Sequence, residues 1–455
     1  MTAPDLTLLL DALPAGMVVT DPDILGAYRY DRANDPDAGT PLALIRPLTT
    51  EHVQVAVRWS ARAGIPVVTR GAGTSLSGGS TAVDGALMIS TERMRQLTVD
   101  VATRTAVSQP GMLNAEVKQA AADRGLWYPP DPSSFEICSI GGNVATNAGG
   151  LCCVKYGVTA DYVLGMQVVL ADGRAVRLGG RQLKDSAGLA LTKLFVGSEG
   201  VLGIVTEVTL RLLPAQTPPC TVVGSFPSVR AAGEAVLAVT AQIRPAMLEF
   251  MDSVAINAVE DMLSMDLDRD AGALLVAQSD APGPAGVAET ALIEEAFTAC
   301  GATEVFATSD PQESEGFTAA RRAAIPAVER LGALLLEDVG VPLPALPDLI
   351  DGVAAIAADN RVTISVIAHA GDGNTHPLIV HDPADPDETA RAGRAFGQIM
   401  DLAISLDGTI TGEHGVGRLK KGWLRDQIGD DAMDLMGTVK SALDPTGLLN
   451  PGVMF

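Results

Sequence analysis

Residues 367–377 read Ile-Ala-His-Ala-Gly-Asp-Gly-Asn-Thr-His-Pro and contain His369 and His376, two of the five histidines of the chain. A run of uncharged, largely β-branched residues precedes them, which predicts a buried strand, and the residues after the proline predict a second strand. A turn through Gly-Asp-Gly-Asn, residues 371–374, would join the two as a hairpin. We expect the histidines to be directly opposed there, with Cβ atoms roughly 4.5–5.5 Å apart. Two such imidazoles can hold one metal ion; the alternative is a hairpin whose histidines have only structural hydrogen bonds.

A second polar segment, residues 411–417, reads Thr-Gly-Glu-His-Gly-Val-Gly. Glycines let the backbone approach another group closely and allow positive φ. Glu413 would complete a His/His/carboxylate set with an open coordination position, which is the pattern of a catalytic metal centre. Zn²⁺ is the first choice, with Mn²⁺ or Fe²⁺ as alternatives, because ligand type alone does not fix the metal. His414 is then left to act as a base.

The composition bounds the class of protein. The 455 residues suffice for roughly two to three domains with a large core. The net charge of −23 argues against nucleic acid or an anionic membrane as a partner. No segment approaches the roughly 18 apolar residues of a transmembrane helix. Five cysteines without zinc-type spacing, together with an acidic N-terminus unlike a signal peptide, predict a cytoplasmic protein.

Three glycine-rich loops lie at the ends of predicted strands. Residues 70–79, Arg-Gly-Ala-Gly-Thr-Ser-Leu-Ser-Gly-Gly, match neither the dinucleotide motif, because Leu76 replaces its third glycine, nor the Walker A motif, because no lysine follows. Their composition is that of an anion-binding nest, for which a pyrophosphate is the natural ligand and a flexible turn the alternative. Residues 139–150 and 197–200 are also rich in small residues. Three such loops within one domain indicate a large ligand.

A proline-rich boundary at residues 214–219 separates this region from a second one. Beyond it, predicted strands and helices alternate, which favours an α+β domain with an antiparallel sheet. Arg321 and Arg322 stand there in an otherwise apolar helix. They form either a solvated helix face or a clamp for a carboxylate, which guanidinium matches with two hydrogen bonds.

Together these segments resemble the FAD-dependent D-2-hydroxyacid dehydrogenases of the vanillyl-alcohol-oxidase flavoprotein superfamily, in particular the group of D-lactate dehydrogenase and the FAD-carrying glycolate oxidase subunit. The resemblance extends from about residue 47 to 451. Its most specific segments are residues 71–79, 139–150, 197–206, 369–376, 412–415 and 450–452.

The resemblance implies an α+β fold, with a two-part PCMH-type FAD-binding domain, an α+β cap domain and a C-terminal tail that returns to the FAD domain. We expect a leader over residues 1–40, the FAD-binding domain over 41–215, the substrate or cap domain with the metal hairpin over 216–410, and a completing segment over 411–455.

The resemblance also assigns residues. It makes His369, His376 and Glu413 the metal ligands, His414 the catalytic base and Arg321 the group that binds the substrate carboxylate. FAD is expected to be non-covalent, because no histidine lies between residues 53 and 368. The residues expected to bind FAD are Arg70, Gly71, Ala72, Gly73, Thr74, Ser75, Gly78, Pro130, Asp131, Ser139, Gly142, Asn143, Thr146, Gly149, Glu199, Gly203, Ile204, Val205 and Asn450.

The implied reaction is the metal-assisted oxidation of a small D-2-hydroxy acid, such as D-lactate or glycolate, to the 2-oxo acid by hydride transfer to flavin N5. Relatives that act on D-2-hydroxyglutarate carry polar residues where this chain has Leu378, Ile325 and Leu336, so a substrate with one carboxylate is expected. The electron acceptor is left open among a quinone, a cytochrome, an electron-transfer flavoprotein and a partner subunit. A homodimer is also left open.

Two other functions compete. Relatives similar to alkylglycerone-phosphate synthase use the same FAD fold for a non-redox exchange, but they would need basic phosphate-binding residues, and no basic cluster stands out beyond Arg418–Lys421. A non-catalytic FAD-binding subunit of a larger complex is the second. The paired histidines and the Glu-His of residues 413–414 argue against it, because such a subunit has no use for a metal and a base.

Overall fold

The computed structural model describes residues 6–455, so residues 1–5 of the predicted leader lie outside the described part. The chain forms two compact units. Of the described residues, the first unit contains 6–149, 158–215 and 413–455, and the second contains 150–157 and 216–412. The short segment 150–157, which was expected in the FAD-binding domain, thus belongs to the second unit.

The strands of the described residues are, in chain order, β1 (Val18–Val19), β2 (Ala43–Ile45), β3 (Val67–Arg70), β4 (Leu87–Ser90), β5 (Leu97–Asp100), β6 (Thr105–Ser108), β7 (Leu126–Trp127), β8 (Val163–Val169), β9 (Ala175–Gly179), β10 (Ile204–Arg211), β11 (Leu213–Pro214), β12 (Cys220–Phe226), β13 (Met247–Asp252), β14 (Ala273–Ser279), β15 (Glu304–Thr308), β16 (Ala333–Leu336), β17 (Val339–Gly340), β18 (Thr363–His369) and β19 (Asn374–His381).

The α-helices of the same residues are α1 (Thr7–Ala12), α2 (Pro22–Ala27), α3 (Thr50–Ala63), α4 (Asn114–Ala122), α5 (Ile140–Thr146), α6 (Cys153–Tyr156), α7 (Thr159–Tyr162), α8 (Leu191–Phe195), α9 (Val229–Thr240), α10 (Ser253–Leu263), α11 (Pro284–Ala299), α12 (Pro311–Arg322), α13 (Ala324–Val328), α14 (Leu346–Asn360), α15 (Pro386–Ser405), α16 (Lys421–Ile428) and α17 (Asp430–Leu443).

The first unit contains two main sheets. One has the order β1-β2-β4-β3, with β4 parallel to both β2 and β3. The other is antiparallel, in the order β5-β6-β10-β8-β9. Helix α3 buries Val53, Ala56 and Val57 in a core shared with β2, β3 and β4, and it ends at Gly64 in the left-handed conformation, with φ of 66°. Both the helix and its glycine stop agree with the sequence pattern.

The C-terminal tail returns to the first sheet, as predicted. The Val67 N–H donates to the Leu448 carbonyl over 2.8 Å, and the Asn450 N–H donates to the Val67 carbonyl over 2.8 Å. Leu449 between them is fully buried. The tail therefore completes the edge of the sheet beside β3 and fixes the position of Asn450.

The second unit is built on one antiparallel sheet, in the order β15-β12-β14-β13-β18-β19-β16, with β17 also paired to β19. Helices α10 and α13 share an apolar core with β13, β14, β18 and β19. The predicted α+β architecture with an antiparallel sheet in the second domain is therefore confirmed.

The hairpin of β18 and β19 exists, but its predicted register is wrong. His369 pairs with Asn374, and His376 pairs with Ile367. The turn therefore spans residues 370–373, one residue earlier than expected, because the backbone of Asn374 already belongs to the ladder. The two histidines are diagonal neighbours two residue pairs apart on the same face, not directly opposed.

Candidate active site

Two histidine rings meet on one face of the sheet in the second unit. The ring centroids of His369 and His376 lie 5.1 Å apart and the rings are nearly perpendicular. Both side chains are almost completely buried. The diagonal register thus still brings two imidazoles close enough to bind one ion, although by another geometry than the sequence predicts.

Each histidine has a buried carboxylate on its outer side. Glu249 on β13 flanks His369, and its Oε1 and Oε2 lie 2.9 and 3.0 Å from Nδ1 of that ring. Asp338, between β16 and β17, stands opposite His376 in the pairing with β19, and its Oδ1 lies 3.8 Å from Nδ1. The order across the sheet is therefore carboxylate, imidazole, imidazole, carboxylate.

The Glu249 carboxylate decides which nitrogen of His369 can bind a metal. A carboxylate beside Nδ1 favours the tautomer with hydrogen on Nδ1, so the lone pair of the neutral ring lies on Nε2. Metal-binding histidines usually have such an outer partner. The donor set of this face therefore fits a divalent ion with nitrogen ligands.

Arg321 belongs to the same cluster. It lies at the end of α12, is 1% exposed, and places Nη2 2.9 Å from Oε2 of Glu249. The solvated helix face weighed for this residue is thus wrong. Glu249 contacts both Arg321 and His369, and sequence reasoning missed it. A glutamate inside an apolar strand could have indicated it, because buried glutamates are rare unless paired.

The glycine-rich loops converge in the first unit. The Ser139 Oγ accepts hydrogen bonds from the N–H groups of Ala72 and Gly142, each over 3.3 Å. Gly73 and Gly78 have φ of 74° and 77°, which a side chain would disfavour. Backbone with such glycines and small residues leaves N–H groups accessible to a phosphate, so these loops fit the predicted pyrophosphate.

The residues after Glu413 join these loops. Ser77 Oγ donates to the His414 carbonyl over 3.2 Å. The Glu199 carboxylate accepts from the N–H groups of Val416 and Gly417 over 2.7 and 2.8 Å. Burial raises the pKa of Glu199 to about 7, although these two N–H groups oppose the shift.

The tail also reaches this region. Asn450 Nδ2 donates to the carbonyls of Gly79 and Glu199, over 2.9 and 2.7 Å. His414 and Glu413 lie beside each other, with His414 Nε2 3.5 Å from Glu413 Oε1. The structure therefore brings together four of the predicted segments. They are the glycine-rich loops at residues 70–79 and 197–200, the segment 411–417 that contains Glu413 and His414, and the C-terminal tail at Asn450.

The predicted residues are divided between the two units. All predicted FAD-binding residues, with Glu413 and His414, belong to the first unit, and His369, His376 and Arg321 belong to the second. Within the first unit, Asn143 is buried and its Oδ1 accepts from Asn114 Nδ2 over 3.0 Å. From residue 6 onward, no helix combines the length and apolar character needed to cross a membrane.

The sequence matches two family models. Residues 41–179 match an FAD binding domain, and residues 217–454 match the C-terminal domain of FAD linked oxidases, which is more than half of the chain. The chain belongs to the FAD-linked oxidase family. The resemblance found in the sequence is thereby confirmed, and this FAD-linked oxidase is an FAD-dependent oxidoreductase.

Curated relatives cover nearly the whole FAD-linked oxidase. It is 39% identical over 431 residues to the glycolate oxidase subunit GlcD of Bacillus subtilis, covering 94% of this chain and 92% of the relative. It is 40% identical over 433 residues to the subunit of the same name from Escherichia coli, covering 94% and 85%. It is 31% identical over 436 residues to the D-lactate dehydrogenase of Archaeoglobus fulgidus, covering 94% and 95%.

Solved structures agree on the fold. The FAD-linked oxidase is similar to p-cresol methylhydroxylase with a TM-score of 0.82 at 16% identity, covering 98% of this chain and 95% of that one. It is similar to alkyldihydroxyacetonephosphate synthase with a TM-score of 0.76 at 18% identity, covering 99% and 86%. At such identities the likeness shows the fold alone.

Proposed function

We propose that this protein oxidises a small D-2-hydroxy acid, glycolate or D-lactate, to the corresponding 2-oxo acid with FAD and a divalent metal ion. The relatives named as glycolate oxidase subunits and D-lactate dehydrogenase support the substrate class. The observation that carries the metal is the pair of buried imidazoles with carboxylates on their outer sides.

In this proposal His369, His376 and Glu413 hold the metal, with Zn²⁺ as first choice and Mn²⁺ or Fe²⁺ as alternatives. The glycine-rich loops hold FAD without a covalent bond. Bound FAD would supply the hydride acceptor at flavin N5, and the bound metal would supply a positive charge that lowers the pKa of the substrate hydroxyl.

The protein's own residues handle the proton and the carboxylate. His414 accepts the hydroxyl proton, while the C2 hydrogen leaves with its electron pair and the C–O bond becomes a carbonyl. A base so placed typically contributes roughly 10²–10⁴-fold to the rate. Arg321 orients the substrate carboxylate. Its Nε has no hydrogen-bond partner among the residues from 6 to 455, which leaves this group a donor for a ligand.

The surroundings favour a substrate with one carboxylate. Leu378 is fully buried, and Ile325 and Leu336 pack against the same apolar core. A second carboxylate placed among these side chains would lose hydration without gaining a partner. We therefore propose glycolate, D-lactate or a D-2-hydroxy acid with a longer apolar chain.

The names of the relatives from Bacillus subtilis and Escherichia coli describe subunits. We accordingly propose that this protein passes its electrons to an acceptor held outside the chain, either a partner subunit or a separate carrier. Reoxidation of the reduced flavin by a quinone, a cytochrome and an electron-transfer flavoprotein, each tested in turn, identifies the acceptor.

The test is anaerobic reduction of the flavin by a panel of D- and L-2-hydroxy acids, followed by its absorbance. We expect rapid bleaching of the flavin by glycolate, which is achiral, or by one chiral D-acid. If the substrate is chiral, its L-enantiomer should not bleach the flavin. If no member bleaches the flavin of protein that carries both FAD and metal, the oxidation is refuted, and the non-redox exchange or the non-catalytic subunit takes its place.

A further inference from the structure

Asp338 connects a histidine of the hairpin with the backbone that leads to Glu413 and His414. It is fully buried and stands opposite His376, with Oδ1 3.8 Å from Nδ1 of that ring. Its other oxygen, Oδ2, accepts from Thr411 Oγ1 over 2.7 Å and from the Gly412 N–H over 3.0 Å. One carboxylate therefore faces both a proposed metal ligand, His376, and the segment that precedes Glu413 in the sequence.

Gly412, whose N–H donates to Asp338, also lies close to the side chain of Asn374. A Cβ on Gly412 would lie 2.3 Å from Oδ1 of the Asn374 side chain, so a larger residue at position 412 would require that side chain to move. Asn374 begins β19, two residues before His376. The hydrogen bonds to Asp338 thus hold Thr411 and Gly412 beside the residue that faces His376, and the next residue in the sequence is Glu413.

A fully buried carboxylate needs a reason to be there. Desolvating the charge is costly unless partners satisfy it. Thr411 and Gly412 account for Oδ2, and Oδ1 faces an imidazole at a distance beyond a direct hydrogen bond. At that distance the negative charge of the carboxylate still favours a ring with its hydrogen on Nδ1 and with Nδ1 towards Asp338. The second oxygen is therefore placed to fix the orientation of His376.

We propose that Asp338 is a positioning residue of the metal centre. It orients His376 so that Nε2 carries the lone pair, and it fixes the backbone of Thr411 and Gly412 in the same unit. The proposal rests on the proposed function in so far as His376 is a metal ligand. Asp338 acts through other residues and is assigned no contact with the substrate.

The chain contains a matched control in Asp252, at the end of β13 in the same sheet. It is also buried, and it accepts from Ser365 Oγ over 2.8 Å and from the Val366 N–H over 2.7 Å. Its contacts thus reproduce the hydroxyl and amide contacts of Asp338. A third donor to its carboxylate is the Ala255 N–H, and none of these three donors belongs to a histidine.

The experiment compares the variants D338N and D252N and, for the hydroxyl partners, T411V and S365A. Each protein is stripped of metal and titrated with Zn²⁺ against a chromogenic chelator, and with Co²⁺ by visible absorption. Flavin content is measured in parallel to report on the folded state. Wild type and His376→Ala are included to establish that the hairpin binds the metal at all.

We expect D338N to bind Zn²⁺ about 10–100-fold more weakly than wild type, as the loss of an outer partner of a ligand usually does. Its Co²⁺ spectrum should shift, and its flavin content should stay at the wild-type level. T411V should weaken binding by a smaller factor in the same direction. D252N and S365A should lose stability through the Asp252–Ser365 hydrogen bond, but their metal affinity should stay within about twofold of wild type, because neither residue is placed beside a metal ligand.

Two results would overturn the inference. One is D338N and T411V both binding Zn²⁺ with wild-type affinity and spectrum. The other is D252N and S365A weakening the metal as much as their counterparts, which would make the effect one of general stability. If D338N does not fold, T411V against S365A decides. Failure of the proposed metal itself looks different, because His376→Ala would then bind as much metal as wild type.

Discussion

In the proposed function, the glycine-rich loops of the first unit and the hairpin face of the second unit would bind their ligands by opposite means. The loops work through backbone: small residues, positive φ at Gly73 and Gly78, and N–H groups without side chains in the way. The hairpin face works through charge: Glu249, His369, His376 and Asp338 are all buried in a row across the strands. The glycine-rich loops can be recognised from the amino-acid composition of short segments. The hairpin face can be recognised only when it is known which strands are neighbours in the sheet.

This comparison predicts that the two sites can be damaged separately. A change on the hairpin face should remove metal or turnover and leave FAD bound. A change among the loops should release FAD.

The largest effect is expected for His414→Ala. This variant loses the side chain that accepts the proton in the proposed mechanism, while the backbone carbonyl of residue 414 still accepts from Ser77. Turnover should fall by roughly 10²–10⁴-fold. Steady-state kinetics with the best substrate of the panel, alongside flavin absorbance of the purified protein, is the measurement. Wild-type turnover in this variant would remove His414 from the mechanism.

Arg321→Met should have the next largest effect, on stability. The change leaves Glu249 buried without its cation, and losing one partner of a buried ion pair costs roughly 3–5 kcal/mol. The denaturant midpoint of the second unit should drop accordingly. Adding Glu249→Gln should recover much of the loss, since the unpaired charge is then gone. A midpoint unchanged in the single variant would show that the pair contributes little.

Glu199 should give the first unit a distinct pH dependence. Its pKa is about 7 in the folded protein against 4.5 ordinarily, so the folded state binds the proton more tightly than the unfolded state does. The stability from this group is therefore complete below about pH 4.5 and is lost as the pH rises to about 7, by about 3 kcal/mol in total.

The measurement is the difference in unfolding free energy between wild type and Glu199→Gln, from pH 4 to pH 8 at saturating FAD. Wild type should lose stability relative to the variant over this window. A difference that stays constant, or that changes in the opposite direction, would contradict the raised pKa.

The smallest effect separates two glycines. Gly417 has φ of 56°, and a Cβ there would lie 2.0 Å from the Ser77 carbonyl oxygen; Gly64, at the end of α3, has φ of 66° and open space around it. Alanine at either position pays roughly 1–2 kcal/mol for the left-handed conformation. Gly417→Ala should lose roughly 1–3 kcal/mol more through overpacking and should hold less FAD. Equal losses in thermal unfolding and flavin content would refute the close approach.

Much of the fold was predictable because it is encoded locally. Helix α3 shows apolar residues at helical spacing and ends at a glycine. The loops are rich in glycine and other small residues, which is typical of segments that bind a phosphate through backbone N–H groups. The return of the tail and the antiparallel sheet of the second unit followed from the family resemblance and from the alternation of elements. Each of these features can be predicted from residues that are close in sequence or from a pattern known for the family.

What failed depends on long-range pairing. The hairpin was predicted, but its register depends on where the turn begins, and a shift of one residue changes which side chains are opposed. Glu249 and Asp338 are far from the histidines in sequence, and they join them only because β13 and the β16–β17 segment flank β18 and β19. No local pattern contains that information.

The most direct test of the central claim is rapid anaerobic reduction of the flavin by the best D-2-hydroxy acid, before metal removal, after chelation and after metal is added back. FAD occupancy is checked at each stage. The proposed function predicts that chelation slows bleaching severely while FAD stays bound, and that added Zn²⁺ or Mn²⁺ restores the rate. An unchanged rate in metal-free protein that retains FAD would contradict it.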